Sequence, residues 1–446
     1  MQKGTPTFEY GLDDKVPLLK SLLFGLQWAA ILVSSVIILG NVVVLIHFSD
    51  PLLQIVYLQK ILFLCALTLF FQVFLGHRLP LIPGPSAVLF VGVLASQDFG
   101  MAAIYSSVVI GGIFIALLAV TGLFRRLQPL FTANVVAVVL ILIAFTIAPT
   151  IQHLMIDSKS GIDPLFNLGF GLLLLLVMFF FYRFLSGIWR STLIVWAMVV
   201  GSLLYYLLFP AGASSKSIAG IPLYSGFFRE MTLQVSVQPG VLISFFFCFI
   251  ALSINDLGSI QSLNELLRLR DGDRRITRGL FVTGLANTAS GVFGVIGPVN
   301  YAMSPGLIVA TGCASRFTLL PAAGLLLLLA FFPAGVGTIA SVPPVVIGAV
   351  MAYVMTAQIG AGLMVAFQDT DGQGFVFDNG LVIGLAVLLG AMVAFLPAEV
   401  MAALPPFLRP ILGNGFVVGV LSALVLEHLL LRTGRVHHGT EDPENR

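Results

Sequence analysis

The sequence has very few charged residues. Asp, Glu, Lys and Arg make up 9% of its 446 residues, whereas 58% are hydrophobic, and the mean hydropathy is +1.05. A soluble chain of this length needs much more charge to cover its surface, so the composition excludes a soluble protein and predicts an integral membrane protein. The net charge of +2 and the lack of basic clusters interleaved with aromatic residues give no indication of nucleic-acid binding.

The residue types that build catalytic and metal sites are also scarce. The three cysteines, Cys65, Cys248 and Cys313, lie in apolar runs, which is typical of small buried side chains and not of a disulfide framework. The six histidines lie near the ends of apolar runs or in the tails and form no metal-ligand or nucleophile pattern. We therefore expect no enzyme activity, no metal site and no cofactor.

Long apolar runs recur along almost the whole chain. A helix needs about 20 apolar residues to cross a bilayer, and runs of this kind are separated by short polar, Pro or Gly breaks. The pattern predicts an all-α membrane protein of about 14 spans. The predicted spans are 18–46, 52–75, 86–97, 101–123, 131–154, 164–184, 189–209, 240–266, 276–296, 304–315, 317–333, 343–366, 379–397 and 411–431.

The distribution of basic residues predicts the orientation. With a cytoplasmic amino terminus, most Lys and Arg residues fall on the cytoplasmic side, including Arg125, Arg126, Arg274, Arg275 and Arg278. This asymmetry satisfies the positive-inside rule. We expect a multi-pass protein of the cell (plasma or inner) membrane with both termini in the cytoplasm.

A long polar break divides the chain into two nearly equal halves. It is rich in Gly and Ser and is predicted to be an outer linker, residues 210–239. The halves on either side are predicted to be seven-span repeats, 18–209 and 240–431. Cytoplasmic tails, 1–17 and 432–446, complete the predicted organisation.

Two predicted spans, 86–97 and 304–315, are too short to cross about 30 Å of hydrocarbon as helices. Backbone-breaking residues precede both, in the stretches Leu79–Ser86 and Gly297–Gly306, which are separated by about half the chain. Paired interruptions at matching places in two halves indicate a transporter binding site, because half-helices end near the midplane. The alternative is a pair of Pro-rich loops between full spans.

The starts of these short helices are candidates for ligand contact. Ser304 suits a helix N-cap and Pro305 suits the first helical position, and Gly84, Pro85 and Ser86 could serve the same purpose in the first interruption. Helix amino termini have unpaired N–H groups and a partial positive charge. They favour anions or the carbonyl edges of a polar ligand.

The eighth predicted span contains a group of polar residues, Asn255, Asp256 and Ser259. Asp256 precedes Arg268 by about 18 Å along the helix, which predicts a position near the middle of the membrane. An ionisable group there is costly, so Asp256 is a candidate for proton or cation coupling or for ligand contact. A structural Asp bonded to neighbouring helices is the alternative. In the first span, Gln27 could bind the ligand or tie two helices together.

Five stretches match the sequence signatures of one family of membrane proteins. Residues 281–291 resemble the ninth span of that family, residues 342–348 its Ile-Pro-x-Pro-Val-x-Gly stretch, and residues 303–312 its tenth-span signature. Weaker matches lie at 25–28 and 131–147. The chain thereby resembles the nucleobase–ascorbate transporter family, also called nucleobase:cation symporter-2, which includes uracil and xanthine permeases. The resemblance extends over nearly the whole membrane part of the chain.

The resemblance implies two inverted seven-span repeats, with a core domain from spans 1–4 and 8–11 and a gate domain from spans 5–7 and 12–14. It also implies a small-molecule substrate between these domains, elevator-like alternating access with a coupling proton or cation, and often a homodimer in the bilayer. Asp256 is the predicted proton-coupling residue. The predicted substrate-binding residues are Gln27, Gly84, Pro85, Ser86, Asn255, Asp256, Ser259, Ala302, Met303 and Ser304.

The sequence departs from the family pattern at the acids. The family's eighth-span carboxylate falls on Asn255, its tenth-span acid or Gln falls on Met303, and the following Asn falls on Ser304. Such acids accept N–H donors from a nucleobase, and a methionine side chain cannot replace them. The leading hypothesis is a divergent proton-coupled nucleobase symporter. An anion transporter of the related sulfate and bicarbonate carrier fold, or a channel, is the alternative.

Overall fold

The computed structural model describes residues 8–156, 162–209, 222–228, 234–301, 304–367, 377–405 and 408–431. Helices dominate this part of the chain, and two three-residue strands are the exception. In chain order, the elements are α1 Leu18–His47, α2 Pro51–Phe74, β1 Pro83–Pro85, α3 Ala87–Ala95, α4 Gly100–Thr121, α5 Phe124–Leu127, α6 Ala133–Ile156, α7 Pro164–Phe184, α8 Gly187–Ser191, α9 Leu193–Leu208, α10 Pro239–Leu266, α11 Gly272–Phe293, β2 Pro298–Asn300, α12 Ser304–Thr311, α13 Leu319–Ala330, α14 Pro333–Ala340, α15 Pro344–Ala366, α16 Phe377–Ala394, α17 Ala398–Ala403, α18 Arg409–Leu412 and α19 Gly415–Val425.

Capping residues set the starts of several long helices. Asp50 accepts a 2.9 Å hydrogen bond from the Leu52 amide at the start of α2, and Asp163 accepts a 2.8 Å bond from the Leu165 amide at the start of α7. A proline follows the capping Asp in both cases. The carboxylate satisfies a free helical N–H group, and the proline occupies a position that needs no donor.

Eight helices in the described part of the chain are long and apolar enough to cross a membrane. A ninth is possible if the bent pair Arg316–Ala330 and Pro333–Ala340, which turns by 96°, forms one span. A helix overlaps each predicted span, but α5, α17 and nearly all of α14 lie outside the predicted spans. Helices α3 and α12 have 9 and 8 residues, too few to cross alone. The layout of 14 spans in two inverted repeats stays a prediction.

The two strands form a small antiparallel sheet with the register Pro83 to Asn300, Gly84 to Val299 and Pro85 to Pro298. Each strand lies just before a short helix, α3 or α12. The sequence predicted interruptions at these places but not that they pair. Proline is compatible with these strands because each has only one neighbour and one free edge.

Helices α4 and α11 approach each other closely through glycines. A Cβ atom at Gly112 would lie 2.4 Å from the Thr288 amide nitrogen, and one at Gly284 would lie 2.5 Å from the Ala116 amide nitrogen. Small residues let helix backbones come into direct contact, which is the usual basis of tight packing between membrane helices.

By its internal contacts, the chain divides into two compact units. One contains residues 1–122 and 150–353, and the other contains residues 123–149 and 354–446, as far as these are described. The first unit includes both strands, α10, α11 and α12. This division differs from the predicted seven-span repeats, which stay a prediction.

Helices α7 and α16 have long apolar surfaces that other parts of the protein do not cover. Only 17% of the most apolar stretch of each is buried. Exposed apolar helices of this length are stable only in lipid, so the chain is a multi-pass membrane protein.

Candidate functional site

The crossing of the two strands is the centre of the candidate site. Gly84 in β1 lies against the ring of Tyr301, and a Cβ atom at this position would come within 2.5 Å of the Tyr301 hydroxyl oxygen. That hydroxyl donates a 3.0 Å hydrogen bond to the Pro85 carbonyl, and the Tyr301 amide donates to the Ile82 carbonyl at 3.0 Å. Only glycine allows this close approach of the ring to the backbone.

Ser86 connects the start of α3 to the second interrupted segment. Its hydroxyl oxygen accepts a 3.3 Å hydrogen bond from the Leu89 amide, which makes it the N-cap of α3. Its own amide donates to the Gly297 carbonyl at 3.0 Å, just before β2. The predicted site residues Gly84, Pro85 and Ser86 are therefore contiguous and buried at the crossing.

Ser304 is the first residue of α12 and is fully buried. Its hydroxyl accepts a 3.3 Å hydrogen bond from the Ile82 amide and donates to the Tyr301 carbonyl at 3.0 Å. The sequence predicted an N-cap here, and the hydroxyl instead connects the two interrupted segments. It bonds across the crossing because the Ile82 amide lies within reach.

Asp256 on α10 holds strand β2. One carboxylate oxygen, Oδ1, accepts hydrogen bonds from the Asn300 amide at 3.1 Å and from Asn300 Nδ2 at 2.6 Å. The other oxygen, Oδ2, accepts from the Thr283 hydroxyl at 2.8 Å. The side chain is completely buried, so these donors replace the water that an ionised carboxylate would otherwise bind.

Helix α11 supplies two donors near this contact, the Thr283 hydroxyl and Asn287 Nδ2. Gln72 Nε2 donates to the Thr283 hydroxyl oxygen at 3.1 Å, so the single hydroxyl proton of Thr283 is free to point at Asp256. Four residues along the helix, Asn287 Nδ2 donates to the Pro298 carbonyl at 2.9 Å. Helices α10 and α11 together fix both ends of β2.

His77 extends the polar network beyond Asn300. The Leu79 amide donates to His77 Nδ1 at 2.9 Å, so this nitrogen has no proton. A neutral imidazole then has its proton on Nε2, which lies 3.3 Å from Asn300 Oδ1 and donates to it. The Asn300 side chain thus accepts from His77 and donates to Asp256, which fixes the orientation of its amide.

Arg275 closes the network at the end of α11. Its guanidinium donates to the carbonyls of His77 and Arg78 at 3.0 and 3.1 Å, and to the Asp271 carboxylate at 2.8 Å. This hydrogen bond from Arg275 lowers the pKa of Asp271, which is exposed, below its usual range. Arg275 thereby holds the segment between α2 and β1 against α11.

The polar residues of α10 lie on two different faces. Ser259 is buried with Asp256, and its hydroxyl lies 3.0 Å from the Asn300 carbonyl, to which it donates. Asn255 is only half-buried and Gly258, almost one turn further, is exposed, so their face of α10 is open. Asn255, onto which the resemblance places an acid, is on the open face, and Asp256 is on the face that contacts the strand.

The remaining predicted site residues are not in this cluster or are not described. Gln27 on α1 is buried, and its Nε2 has no hydrogen-bond partner among the described residues. Ala302 and Met303 lie outside the described residues. The substrate-binding role of the whole set stays a prediction.

A second polar contact holds the segment before β2. The Tyr57 hydroxyl accepts a 3.2 Å hydrogen bond from the Ile296 amide and lies 2.9 Å from the Tyr105 hydroxyl. Helices α2 and α4 contribute these tyrosines, so side chains from four helices position the short strand.

Sequence reasoning missed the residues that complete the network, namely Gln72, His77, Thr283 and Asn300. Two signals were present in the sequence. Asn300 directly follows Pro298 and Val299 within the second interruption, and Thr283 and Asn287 lie one turn apart on α11. In the described part of the chain, no group of three or more His, Cys, Asp or Glu side chains could hold a metal ion.

Comparison with known families gives a match along most of the chain. The sequence model of the xanthine/uracil Permease family matches residues 19–399. A putative purine permease of Clostridium perfringens is 24% identical over 94% of this chain and 92% of its own length. The xanthine permease of Bacillus subtilis is 24% identical over 84% of this chain and 85% of its own.

Two of the solved structures with a similar fold belong to a bicarbonate transporter and an anion transporter. The transmembrane domain of the cyanobacterium bicarbonate transporter BicA matches with a TM-score of 0.59 and 17% identity, covering 86% of this chain and 98% of that domain. The murine Solute Carrier 26 family member A9 anion transporter, in the inward-facing state, matches with a TM-score of 0.58 and 15% identity over 93% of this chain and 69% of its own. These likenesses concern the fold alone.

Proposed function

Because the chain belongs to the xanthine/uracil permease family, we propose that it is a secondary transporter that moves a nucleobase or a similar planar polar solute together with protons. The observation that carries the proposal is the crossing of β1 and β2, with a short helix after each strand, in a chain whose family match extends over most of its length. Paired interruptions of this kind form substrate sites in secondary transporters.

The proposed ligand site lies beside the crossing. Gly84, Pro85 and Ser86 bring the start of α3 to it, and Ser304 begins α12 on the other side. Asn255 is half-buried on the more exposed face of α10, and its amide can offer both a donor and an acceptor to a planar polar solute. Gln27, Ala302 and Met303 complete the proposed set.

The proposed coupling group is Asp256. It is the ionisable group at the centre of the buried network, and its bonds to Asn300 fix the strand beside the proposed site. A proton taken up by this carboxyl group would remove its charge within the membrane. Protonation of Asp256 would thereby change the hydrogen bonds that hold the segment proposed to contact the solute.

The transport cycle follows from the resemblance to the family. We propose alternating access in which a core of spans 1–4 and 8–11 moves against a gate of spans 5–7 and 12–14, in a homodimer. The termini are proposed to lie in the cytoplasm and the protein in the inner or plasma membrane, in agreement with the positive-inside rule.

Anion transport is the second candidate function. The similarity of fold to a bicarbonate transporter favours it, and so does Met303 at the position of the family's acid. Two helix amino termini at the crossing would bind an anion without a carboxylate partner. The family match favours the nucleobase.

A ligand screen distinguishes the two functions. Purified full-length protein would be heated with xanthine, uracil, uric acid, ascorbate, bicarbonate or sulfate, and the midpoint of thermal unfolding recorded. Binding stabilises the folded state, so we expect a purine or pyrimidine to raise the midpoint. A rise with an inorganic anion and with no nucleobase would contradict the proposal.

Asp256→Asn tests the coupling. Asparagine can still accept from Asn300 at its oxygen and donate to the Thr283 oxygen, so we expect substrate binding to remain. It cannot take up a proton, so uptake driven by a pH gradient in proteoliposomes should fall at least about tenfold, the effect of about 1.4 kcal/mol on a rate.

Asp50→Asn is the matched control, because asparagine caps a helix as well as aspartate does. Its proton-driven uptake should equal that of the unmodified protein. Equal uptake by Asp256→Asn would remove Asp256 from the coupling mechanism.

A further inference from the structure

The two oxygens of the Asp256 carboxylate have different surroundings. Oδ1 faces two N–H donors of Asn300, and Oδ2 faces the hydroxyl of Thr283. We propose that these oxygens have separate roles: Oδ1 holds strand β2 in place throughout the cycle, and Oδ2 takes up and releases the coupling proton, with Thr283 as the positioning residue. This inference rests on the proposed proton coupling.

Oδ1 is unsuited to bind a proton. Its partners are the Asn300 amide, a donor only, and Asn300 Nδ2, which is also a donor. The second orientation of the Asn300 amide is excluded by His77, whose Nε2–H needs Oδ1 of Asn300 as its acceptor. A proton on Oδ1 of Asp256 would therefore face an N–H group and break at least one bond in a buried place.

Oδ2 has a partner that can reverse its role. A hydroxyl group is both a donor and an acceptor, so Thr283 can donate to an ionised Oδ2 and accept from a protonated one. In the protonated state, the proton from water forms an O–H bond on Oδ2 and points to Thr283 Oγ1. The Thr283 hydroxyl proton then turns to the Gly279 carbonyl one turn back, a common bond for threonine in helices.

Gln72 prepares this reversal. Its Nε2 donates to both Thr283 Oγ1 and the Gly279 carbonyl, so it lies between the two positions of the hydroxyl proton. Thr283 Oγ1 can accept one hydrogen bond from Gln72 and one from Asp256. The Gly279 carbonyl already accepts from the helical amide of Thr283 and from Gln72, so in the protonated state the Thr283 hydroxyl shares this acceptor with Gln72 Nε2. On release, the Oδ2 proton returns to water and the hydroxyl turns back.

The elements around α10 differ in the titratable groups that they contain. The elements packed against α10 are α3, α4, α11, α12 and β2. Of these, α3, β2 and α12 contain no Asp, Glu, Lys, Arg or His. The groups on the remaining elements and on the segments that reach the site are Tyr105 on α4, Asp273, Arg274, Arg275 and Arg278 in the first turns of α11, Glu265 on α10, Lys60 on α2, Tyr301 after β2 and the neutral His77.

The inference is tested by infrared spectroscopy, which sees the proton without any substrate. Purified full-length protein would be titrated with acid, and the C=O band of the protonated carboxyl group, identified by its absence in Asp256→Asn, followed against pH. With the proton on Oδ2, the C=O oxygen is Oδ1. Removing one of its donors with Asn300→Ser should shift the band to higher frequency, and the midpoint should also rise because the ionised carboxylate loses a hydrogen bond.

Thr283→Val leaves both donors of Oδ1 in place, so it should raise the midpoint without a comparable rise in the C=O frequency. The ionised Oδ2 loses its donor, so the band should appear at a pH about one unit higher, the size expected for one hydrogen bond to a charged group. Thr283→Ser keeps the hydroxyl and should restore the original midpoint. Thr288→Val is the matched control, because among the described residues the Thr288 hydroxyl bonds only the Gly284 carbonyl of its own helix.

The outcomes separate this inference from the proposed function. If no nucleobase binds but the band titrates as described, the substrate assignment is wrong and the roles of the two oxygens stand. If Thr283→Val leaves the midpoint unchanged, or if Asn300→Ser leaves the C=O frequency unchanged, the division between the oxygens is wrong. Should Thr283→Val fail to fold, Thr283→Ala must give the same shift.

Discussion

Replacing Gly84 by alanine tests the close contact at the strand crossing. The new Cβ atom would lie 2.5 Å from the Tyr301 hydroxyl oxygen, 2.6 Å from Cζ and 2.8 Å from Cε2, whereas ordinary contacts begin near 3.4 Å. The ring is rigid, so all of these atoms must move together by about 1 Å to restore van der Waals separation. The ring cannot move this far without straining the hydrogen bond from its hydroxyl to the Pro85 carbonyl.

The expected cost follows from these two effects. Overpacking of a buried position costs about 1–3 kcal/mol, and a lost hydrogen bond about 1 kcal/mol. We therefore expect the crossing to be destabilised by about 2–4 kcal/mol. If the solute binds only to the intact crossing, a cost at the lower end already weakens its binding more than about tenfold.

The assay is a double-mutant cycle on purified protein, read by the midpoint of thermal unfolding and by xanthine binding. Gly84→Ala should lower both, and it should lower them much less in a Tyr301→Ala background, where the ring is absent. Gly324→Ala is the control, since no atom lies within 4 Å of a Cβ atom there. If the loss is equal with and without the Tyr301 ring, the steric reasoning is refuted.

Two further predictions concern the helices around the site. Gly284→Ala should destabilise the folded protein by about 1–3 kcal/mol, because its Cβ atom would meet the α4 backbone at Ala116. Gly360→Ala, with open space around its Cβ atom, should not destabilise it. Thermal unfolding in detergent measures both variants. Arg275→Gln should free the segment 75–82, seen as faster amide hydrogen exchange there. The same substitution should return the pKa of Asp271 to its usual range. In the unmodified protein the depressed pKa stabilises the folded state above the unfolded pKa of about 4, and this stability is lost as the pH falls through the folded value. The loss of folding stability on the acid side should therefore be smaller in the variant.

Much of the architecture follows from hydrophobicity and from proline and glycine. A run of apolar residues has few alternatives to a helix in a membrane, because every backbone group must be bonded within the segment. The prolines near Gly84 and Val299 remove donors that a continuous helix would need, so the breaks were also predictable. The pairing of the two breaks was not, because it depends on contacts between residues more than 200 positions apart in the chain.

The candidate site was predicted in part for a similar reason. Asp256 was noticed because a carboxyl group in an apolar span is costly, whatever its neighbours are. Thr283 and Gln72 were not predicted, because an uncharged polar side chain in a membrane helix has a much lower free-energy cost than a carboxyl group. Its importance depends on which group it contacts in the folded protein. Asn300 has its role only because β2 brings its backbone and its side chain to the same carboxylate oxygen.

By the resemblance, the family's acids fall on Asn255 and Met303, and we expect this difference to change what the proposed site recognises. Asp256 does not replace them, because its oxygens are engaged by Asn300 and Thr283 and it lies on the face of α10 toward the strand. The open face has an amide at Asn255, which can donate and accept but has no charge. A carboxylate favours solutes rich in N–H donors, whereas an amide pairs equally well with a solute edge that combines a carbonyl with an N–H. We therefore expect the proposed site to prefer a neutral solute with such an edge over one that offers N–H donors alone, and to hold an anion only through the amino termini of α3 and α12.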